Sequence, residues 1–326
     1  MVRALSFGSV AITIIAGLAS LFGDVAAQEF PSLPIKIIVA TPAGGIADLV
    51  GRTFAQKLSE GGKTAVVENR TGASGALAAE AVARAAPDGH TLFVSMHQTN
   101  AILPHLTKKL SYDPLKDFAP ILNATASTNI LIVHPSLPAR TVPELVAYAK
   151  ANPGKLTYAS QGNGSSGHVV GEQFKLLAGV DIGHVPYRGA APASQDLVAG
   201  HVSMMFDILP LARTQMQAGT VRALAVAAPQ RLAAVPDVPT MAESGFPPIA
   251  GGPWFGLVAP AGTPRAIIDW LNAEGRKAFS APDVRERFLS QGILLPLGTP
   301  EDYGAFIESE YKRWGDIIRS VNIRLD

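Results

Sequence analysis

The chain has 326 residues, no cysteine, a formal net charge of +1, 48% apolar and 16% charged residues. That length suits about two domains, and without cysteine neither disulfides nor a zinc–thiolate centre is expected. A near-neutral chain with no Lys/Arg-rich run lacks the electrostatic footprint of a nucleic-acid binder.

Residues 1–27 have the composition of an export signal. Arg3 is followed by the mostly apolar Ala4–Phe22, then by the small residues Val25-Ala26-Ala27 before Gln28. Cleavage after residue 27 into the periplasm is expected, with an uncleaved anchor as the alternative. No later run is long enough to span a bilayer.

Ile35–Ala40 is an apolar, β-branched run, the pattern of a strand buried on both faces. The turn Thr41-Pro42-Ala43-Gly44-Gly45 follows, after which Ala47, Leu49, Val50, Phe54, Ala55 and Leu58 recur at helical spacing. A glycine turn at the end of a strand and the start of a helix offers free N–H groups to an anion. Gly45, beside that anion, is expected at positive φ; the plainer reading is that Gly44-Gly45 only permits a tight turn.

Strands are then predicted at Thr64–Glu68 and Thr91–Ser95, around a helix at Leu77–Ala86 that stops at Pro87-Asp88-Gly89. Met96-His97-Gln98-Thr99-Asn100 reads as a polar loop at a strand end. A strand at Ala119–Ala124 leads to another at Asn129–Val133, where the strand–helix rhythm restarts. Thr141 starts a helix over Val142–Lys150, with Pro143 and Glu144 in its first turn. Leu156–Ser160 is a strand, Gln161–Gly167 a Gly/Ser-rich loop and His168–Leu177 a helix. Gly183–Pro186, Val202–Phe206 and Arg222–Ala227 are strands, and Pro192–Ala199 is a helix. Pro236–Pro253 reads as the path back to a strand at Trp254–Ala259. A helix over Pro264–Ala278, the segment Phe288–Leu295 and a helix from Pro300 to about Ser320 close the chain. The last helix carries Tyr303, Phe306, Ile307, Tyr311, Trp314 and Ile318 on one stripe.

This alternation predicts α/β architecture with largely parallel sheets. Residues 28–128 with 252–326 form one domain and 129–251 the other. Two crossings imply a hinge and a ligand cleft between them.

Gly162-Asn163-Gly164-Ser165-Ser166-Gly167 fits the dinucleotide pattern, with Asp181 about twenty residues on. An NAD-dependent oxidoreductase is therefore the rival reading, weakened because Asp181 precedes its strand instead of ending it. No G-x-S-x-G elbow and no H-E-x-x-H spacing occurs. No catalytic residue, metal site or cofactor is therefore assigned. What remains are polar loops at the carboxyl ends of strands: Ala43-Gly44-Gly45, Gln98–Asn100, Ser160–His168, Arg188-Gly189 and Asp207. They supply donors and neutral hydroxyls without an activated nucleophile, which is the inventory of a binding site.

Many collinear segments carry a family likeness. They include Pro42-Ala43-Gly44-Gly45 with Asp48 and Arg52, Val67-Glu68-Asn69-Arg70, Pro87-Asp88-Gly89-His90 and Tyr112-Asp113-Pro114. His184-Val185-Pro186-Tyr187-Arg188-Gly189, Val238-Pro239-Thr240 and Ala259-Pro260-Ala261-Gly262-Thr263-Pro264 continue the series. The chain resembles the Bug family, the extracytoplasmic substrate-binding receptors of tripartite tricarboxylate transporters. The resemblance implies a two-domain periplasmic-binding-protein fold of the Venus-flytrap, type II-like kind. It also implies a small carboxylate or related solute as ligand and integral-membrane transporter subunits as partners. Carried over, Ala43, Gly44 and Gly45 bind the ligand and Asp48 shapes their turn. Ser160, Gly162, Ser165, Ser166 and His168 face them, with Gly189 and Asp207 nearby and Gln98 and Arg188 as further candidates. Thr41 and Ile46 depart from the family pattern, which bears on the choice of solute. A solute sensor reporting to a signalling partner is the alternative.

Overall fold

The computed structural model describes residues 30–247, 249 and 251–324. The expected signal segment lies outside them. The chain divides into a leading unit, Met1–Leu33, and a body, Pro34–Asp326, which holds every element below.

The first sheet begins with Ile35–Val39 (β1), Ala65–Asn69 (β2), Thr91–Met96 (β3) and Phe118–Ala126 (β4). Their connections carry helices Ile46–Glu60 (α1), Ala76–Ala83 (α2) and Leu103–Leu106 (α3). The second sheet is built from Asn129–Val133 (β5), Leu156–Ser160 (β6), Ile182–Pro186 (β7), Met204–Ile208 (β8) and Arg222–Val226 (β9). Helices Val142–Ala151 (α4), Ser166–Ala178 (α5), Ala190–Val198 (α6) and Leu209–Gln217 (α7) connect them. Trp254–Pro260 (β10) returns to the first sheet, and Arg265–Ser280 (α8), Pro282–Leu289 (α9) and Pro300–Val321 (α10) complete the body.

The strand orders are β2-β1-β3-β10-β4 and β7-β6-β8-β5-β9, which are one topology used twice. Neither sheet is wholly parallel. β10 runs antiparallel to β3 and β4, and β5 antiparallel to β8 and β9. The cause is topological. β4 leaves the first sheet at its carboxyl edge, and only two residues separate it from β5. A strand entering a sheet at the edge where its neighbours end must run backwards. The two carboxyl edges are therefore joined by short crossings, which bond to each other: Ser127 N–H donates to the Pro253 carbonyl (2.8 Å) and Asn129 N–H to that of Gly251 (3.1 Å).

Ile35, Ile37, Ile38 and Val39 are buried, so β1 lies under cover on both faces. In the second sheet Ile130, Ile132, Ala159 and Met205 share a core with Leu197 and Leu209. Along α10, Tyr303, Ile307, Trp314 and Ile318 are buried as the stripe requires, while Phe306 and Tyr311 are half-buried. Glu310 is also buried there, accepting hydrogen bonds from the indole N–H groups of Trp254 (3.1 Å) and Trp314 (2.9 Å) and from Arg313. Among the described residues no helix is long and apolar enough to cross a membrane.

Candidate functional site

The loop after β1 ends in Gly45, which caps α1 without a side-chain hydrogen bond. The first-turn N–H groups thus keep no capping side chain as acceptor. Gly44, not Gly45, takes the positive φ, at +93°; Gly45 is extended at φ −82°, so its expected left-handed conformation is corrected. Asp48, in the first turn, shapes the loop. Its Oδ2 accepts from Gly44 N–H and from Arg52 Nε, each at 2.9 Å. Its Oδ1 accepts from Asn69 Nδ2 (2.9 Å), which also donates to the Thr41 carbonyl (3.0 Å). Burial alone would raise the Asp48 carboxyl, but the hydrogen bonds from Arg52, Gly44 and Asn69 and the Arg52 charge hold it below the usual range. The guanidinium offsets a negative charge that would otherwise oppose an anion at this helix start.

The loop after β6 repeats that backbone with other side chains. Ser165 caps α5, its Oγ accepting from His168 N–H (3.3 Å). His168 holds the helical position that Asp48 holds in α1, and its Nδ1 accepts from Gly164 N–H (3.1 Å). Gly164, at φ +75°, is the counterpart of Gly44. Because Nδ1 is an acceptor, the neutral ring carries its proton on Nε2 and presents a donor there. The ring stacks on His184 of β7, with centroids 4.1 Å apart and planes 13° apart. Burial holds His168 below its ordinary pKa, Glu172 opposing that and Lys175 adding to it. Ser166 Oγ donates to Asn129 Oδ1 (3.2 Å), and Gln161 Nε2 to the Phe206 carbonyl (3.1 Å) and Asp207 Oδ1 (3.4 Å). Burial pushes Asp207 up to about 7, against hydrogen bonds from Ile208 N–H, Gln161 and Ser194.

Ala43, Gly44, Gly45 and Asp48 thus make one cluster. Ser160, Gly162, Ser165, Ser166, His168 and Asp207 belong to the other, to which Gly189 is tied by its N–H to the Gln161 carbonyl (3.2 Å). Two candidates join neither network. Gln98 opens a π-helical turn, Gln98–Ile102, where a loop was expected, and Arg188 is exposed beyond the end of β7. The dinucleotide reading also loses its acidic residue. Asp181 bonds through its carbonyl to Gly154 N–H, at the amino end of β6, opposite the Gly162 loop.

Asn69, Asn129 and His184 were not among the expected site residues. Nor were the buried polar atoms Thr125 Oγ1, Ser127 Oγ and Asn129 Nδ2, which have no protein partner among the described residues. Thr41 Oγ1, Asn100 Nδ2 and Gln161 Oε1, from segments the sequence had singled out, are buried without one as well. Buried polar groups are ordinarily paired, and these all lie at the carboxyl edges or on the crossing. For Asn69 and Asn129 the available signal was a polar residue at the last or first position of a strand. The surface grooves of about 420 and 440 Å³ lie elsewhere, one around Phe118, Thr263 and Ile307 and the other around Tyr112 and Tyr311.

Two sheets of one topology, joined at their carboxyl edges with a helix N-terminus on each, define a binding-protein architecture. Residues 49–323 match the family described as "Tripartite tricarboxylate transporter family receptor". The protein BugT of Bordetella pertussis is 34% identical over 316 residues, covering 96% of this chain and 97% of BugT. Among solved structures, Rpa4515 of R. palustris with adipate superposes with a TM-score of 0.85 at 33% identity, covering 91% of this chain and 99% of that one. MatC from Rhodopseudomonas palustris with bound malate gives 0.81 at 36% identity, covering 89% and 100%. The chain belongs to the tripartite tricarboxylate transporter receptor family, in its Bug branch, and has the periplasmic-binding-protein fold.

Proposed function

We propose that this chain is a periplasmic receptor that captures a small carboxylate between two lobes and delivers it to a tripartite tricarboxylate-type membrane transporter. The lobes are residues 28–128 with 252–326 and residues 129–251, hinged at the two crossings. One observation carries the reading: the same loop, a glycine at positive φ whose N–H is held by a first-turn side chain, stands at the carboxyl edge of both sheets. Each loop aims a helix N-terminus at the space outside its sheet, where open α/β sheets bind ligands. The relatives with adipate and malate support a carboxylate as the solute, and family membership supports the transporter as partner.

In this reading Ala43 and Gly45 give backbone donors from one lobe, the Gly44 N–H being committed to Asp48. The Ser165 hydroxyl, the Ser166 backbone N–H and the Nε2–H of His168 give donors from the other, the Ser166 hydroxyl being committed to Asn129. Because each loop holds part of the anion, the ligand binds the closed arrangement better than the open one, and only such a difference can drive closure. Hydrogen bonds to a charged group contribute about 1.5–3 kcal/mol each. Removing two donors from one loop therefore weakens binding about 100- to 10,000-fold.

A thermal-shift screen of C4–C6 dicarboxylates, hydroxy acids and amino acids tests the proposal. A true ligand at a hundredfold excess over its Kd adds about 2.7 kcal/mol of stability. A carboxylate panel that leaves the melting temperature unchanged, with uptake of another solute class, would overturn it.

A further inference from the structure

We infer that His184, which makes none of the ligand contacts proposed above, is the positioning residue of the second capture loop. The inference rests on that capture reading for its functional meaning and on the following geometry for its substance. The imidazole is fastened three ways. One face stacks on His168 at 4.1 Å, and Tyr158 stacks with it at 4.7 Å and 24°. Its Nε2 hydrogen-bonds Ser160 Oγ at 2.7 Å. Ser160 Oγ in turn accepts from Gly162 N–H (3.2 Å) and donates to the Gly162 carbonyl (3.3 Å). His184 therefore reaches the loop at both ends, through Ser160 to Gly162 and through the His168 ring to Gly164.

The first sheet solves the same problem with Asn69. That residue also stands on the strand beside the loop's own strand, and it grips both the loop, at the Thr41 carbonyl, and the first-turn side chain, at Asp48. His184 grips the loop and the first-turn His168 from the corresponding strand. The two lobes thus use one device, a strand side chain that ties loop to helix. One version cannot titrate and the other can.

That difference has a readable consequence. The groups facing His184 are Tyr158 from β6 and His168, Glu172 and Lys175 from α5. Glu172 is occupied by Lys175 (2.8 Å) and the Tyr158 hydroxyl (2.7 Å). Burial and then the His168 charge hold His184 down to about 4. Protonating both rings would set two cationic imidazoles against one another, so a first proton hinders the second, and a proton on His168 Nδ1 removes the acceptor of Gly164 N–H. Acid should therefore loosen this loop and leave the Asn69 loop in place.

The test compares wild type with His184→Phe, His184→Ala and Ser160→Ala in the mature chain. Three quantities are read: histidine ring ¹⁵N shifts, hydrogen exchange at Gly164, and affinity for L-malate and adipate from pH 7.5 to 3.5. Wild-type His168 is expected in the Nε2–H form. His184→Phe keeps the stack and loses the Ser160 bond, so binding weakens about three- to tenfold, as does Ser160→Ala. His184→Ala loses both ties; Gly164 exchange rises at least about tenfold while β5 amides keep their protection. In both His184 variants the acid loss of affinity becomes shallower by up to one proton, the ligand's own titration being common to all. A purely structural defect would lower affinity equally at every pH. Wild-type exchange at Gly164 and a wild-type pH profile in His184→Ala would overturn the inference. If neither acid binds wild type, the capture reading fails for them, while ring shifts and exchange still decide the role of His184.

Discussion

The loop after β1 holds Pro42 to Gly45 in solvent, whereas the loop after β6 buries Gly164 to His168, although both place a glycine N–H on a first-turn side chain. In the exposed loop that side chain is a carboxylate, neutralised by Arg52 and steadied by Asn69. In the buried loop it is an uncharged imidazole, supported by a stacked ring and a serine cap. The two side chains are about equally buried, Asp48 at 4% and His168 at 6% exposure. The buried charge therefore needs the full set of partners it has in Gly44, Arg52 and Asn69. A neutral ring accepts the same N–H without that demand.

The second helical residue gives the sharpest way to break the parallel. In α1 it is Ala47; in α5 it is Gly167, where an added Cβ would lie 2.5 Å from both the Phe206 carbonyl and Gln161 Oε1. Gly167→Ala should displace the loop, costing about 1–3 kcal/mol of stability and, with two donors misplaced, about 100-fold or more in affinity. Ala47→Gly should cost about 0.5–1 kcal/mol and leave affinity within a few-fold. Denaturant melts and calorimetric titration of both variants check this.

Gly45→Val comes next. The nearest atom to its new Cβ is Thr41 Oγ1 at 3.8 Å, and the backbone there is ordinary for any residue. Melting temperature should stay within about 2 °C of wild type, a stability change under about 1 kcal/mol. Affinity should fall at least about 30-fold as the side chain blocks approach to the N–H groups. Unchanged affinity would reduce this loop to a turn.

The acid response separates the loops further. His184, held at about 4 when folded, contributes stability that is complete above its unfolded value near 6.5 and is lost as pH falls towards 4. Asp207 has the opposite sign. Its folded pKa is raised to about 7, so the native state holds the extra proton and stability declines as pH rises from about 4 to 7. Asp207→Asn should therefore be least harmful, relative to wild type, at pH 8 and most harmful at pH 5. The spread should be roughly 1–3 kcal/mol, read from urea melts at each pH. Asp48 is depressed, so its contribution disappears only as pH falls below the ordinary carboxylate range.

Arg52→Ala should have the smallest effect. It leaves the Asp48 charge uncompensated beside the anion, weakening binding about three- to tenfold, and the loss should shrink in high salt.

Much of this architecture was legible because the strands are short apolar runs: Asn129–Val133 and Leu156–Ser160 were bounded as observed. Thr141 announced α4, and its Oγ1 does accept from Glu144 N–H. The helix Leu209–Gln217 went unread because only Leu209 and Ala212 of it are buried, and Pro210 reads as a break. The reversed strands β5 and β10 were not legible either, since direction is decided by where the chain enters a sheet and not by local composition. The loop glycines and Asp48 advertise themselves in sequence. His184 does not: its contact with His168 spans sixteen residues and depends on a strand pairing that no local pattern encodes.

Joint capture by both loops is tested most directly by titrating ¹⁵N-labelled protein with L-malate or adipate and following backbone amides. Gly44, Gly45, Ser166 and Gly167 should all shift, along isotherms that share one Kd, because a single anion bridges both helix N-termini. An acid that binds while the amides of either loop stay where they were would contradict the two-loop site.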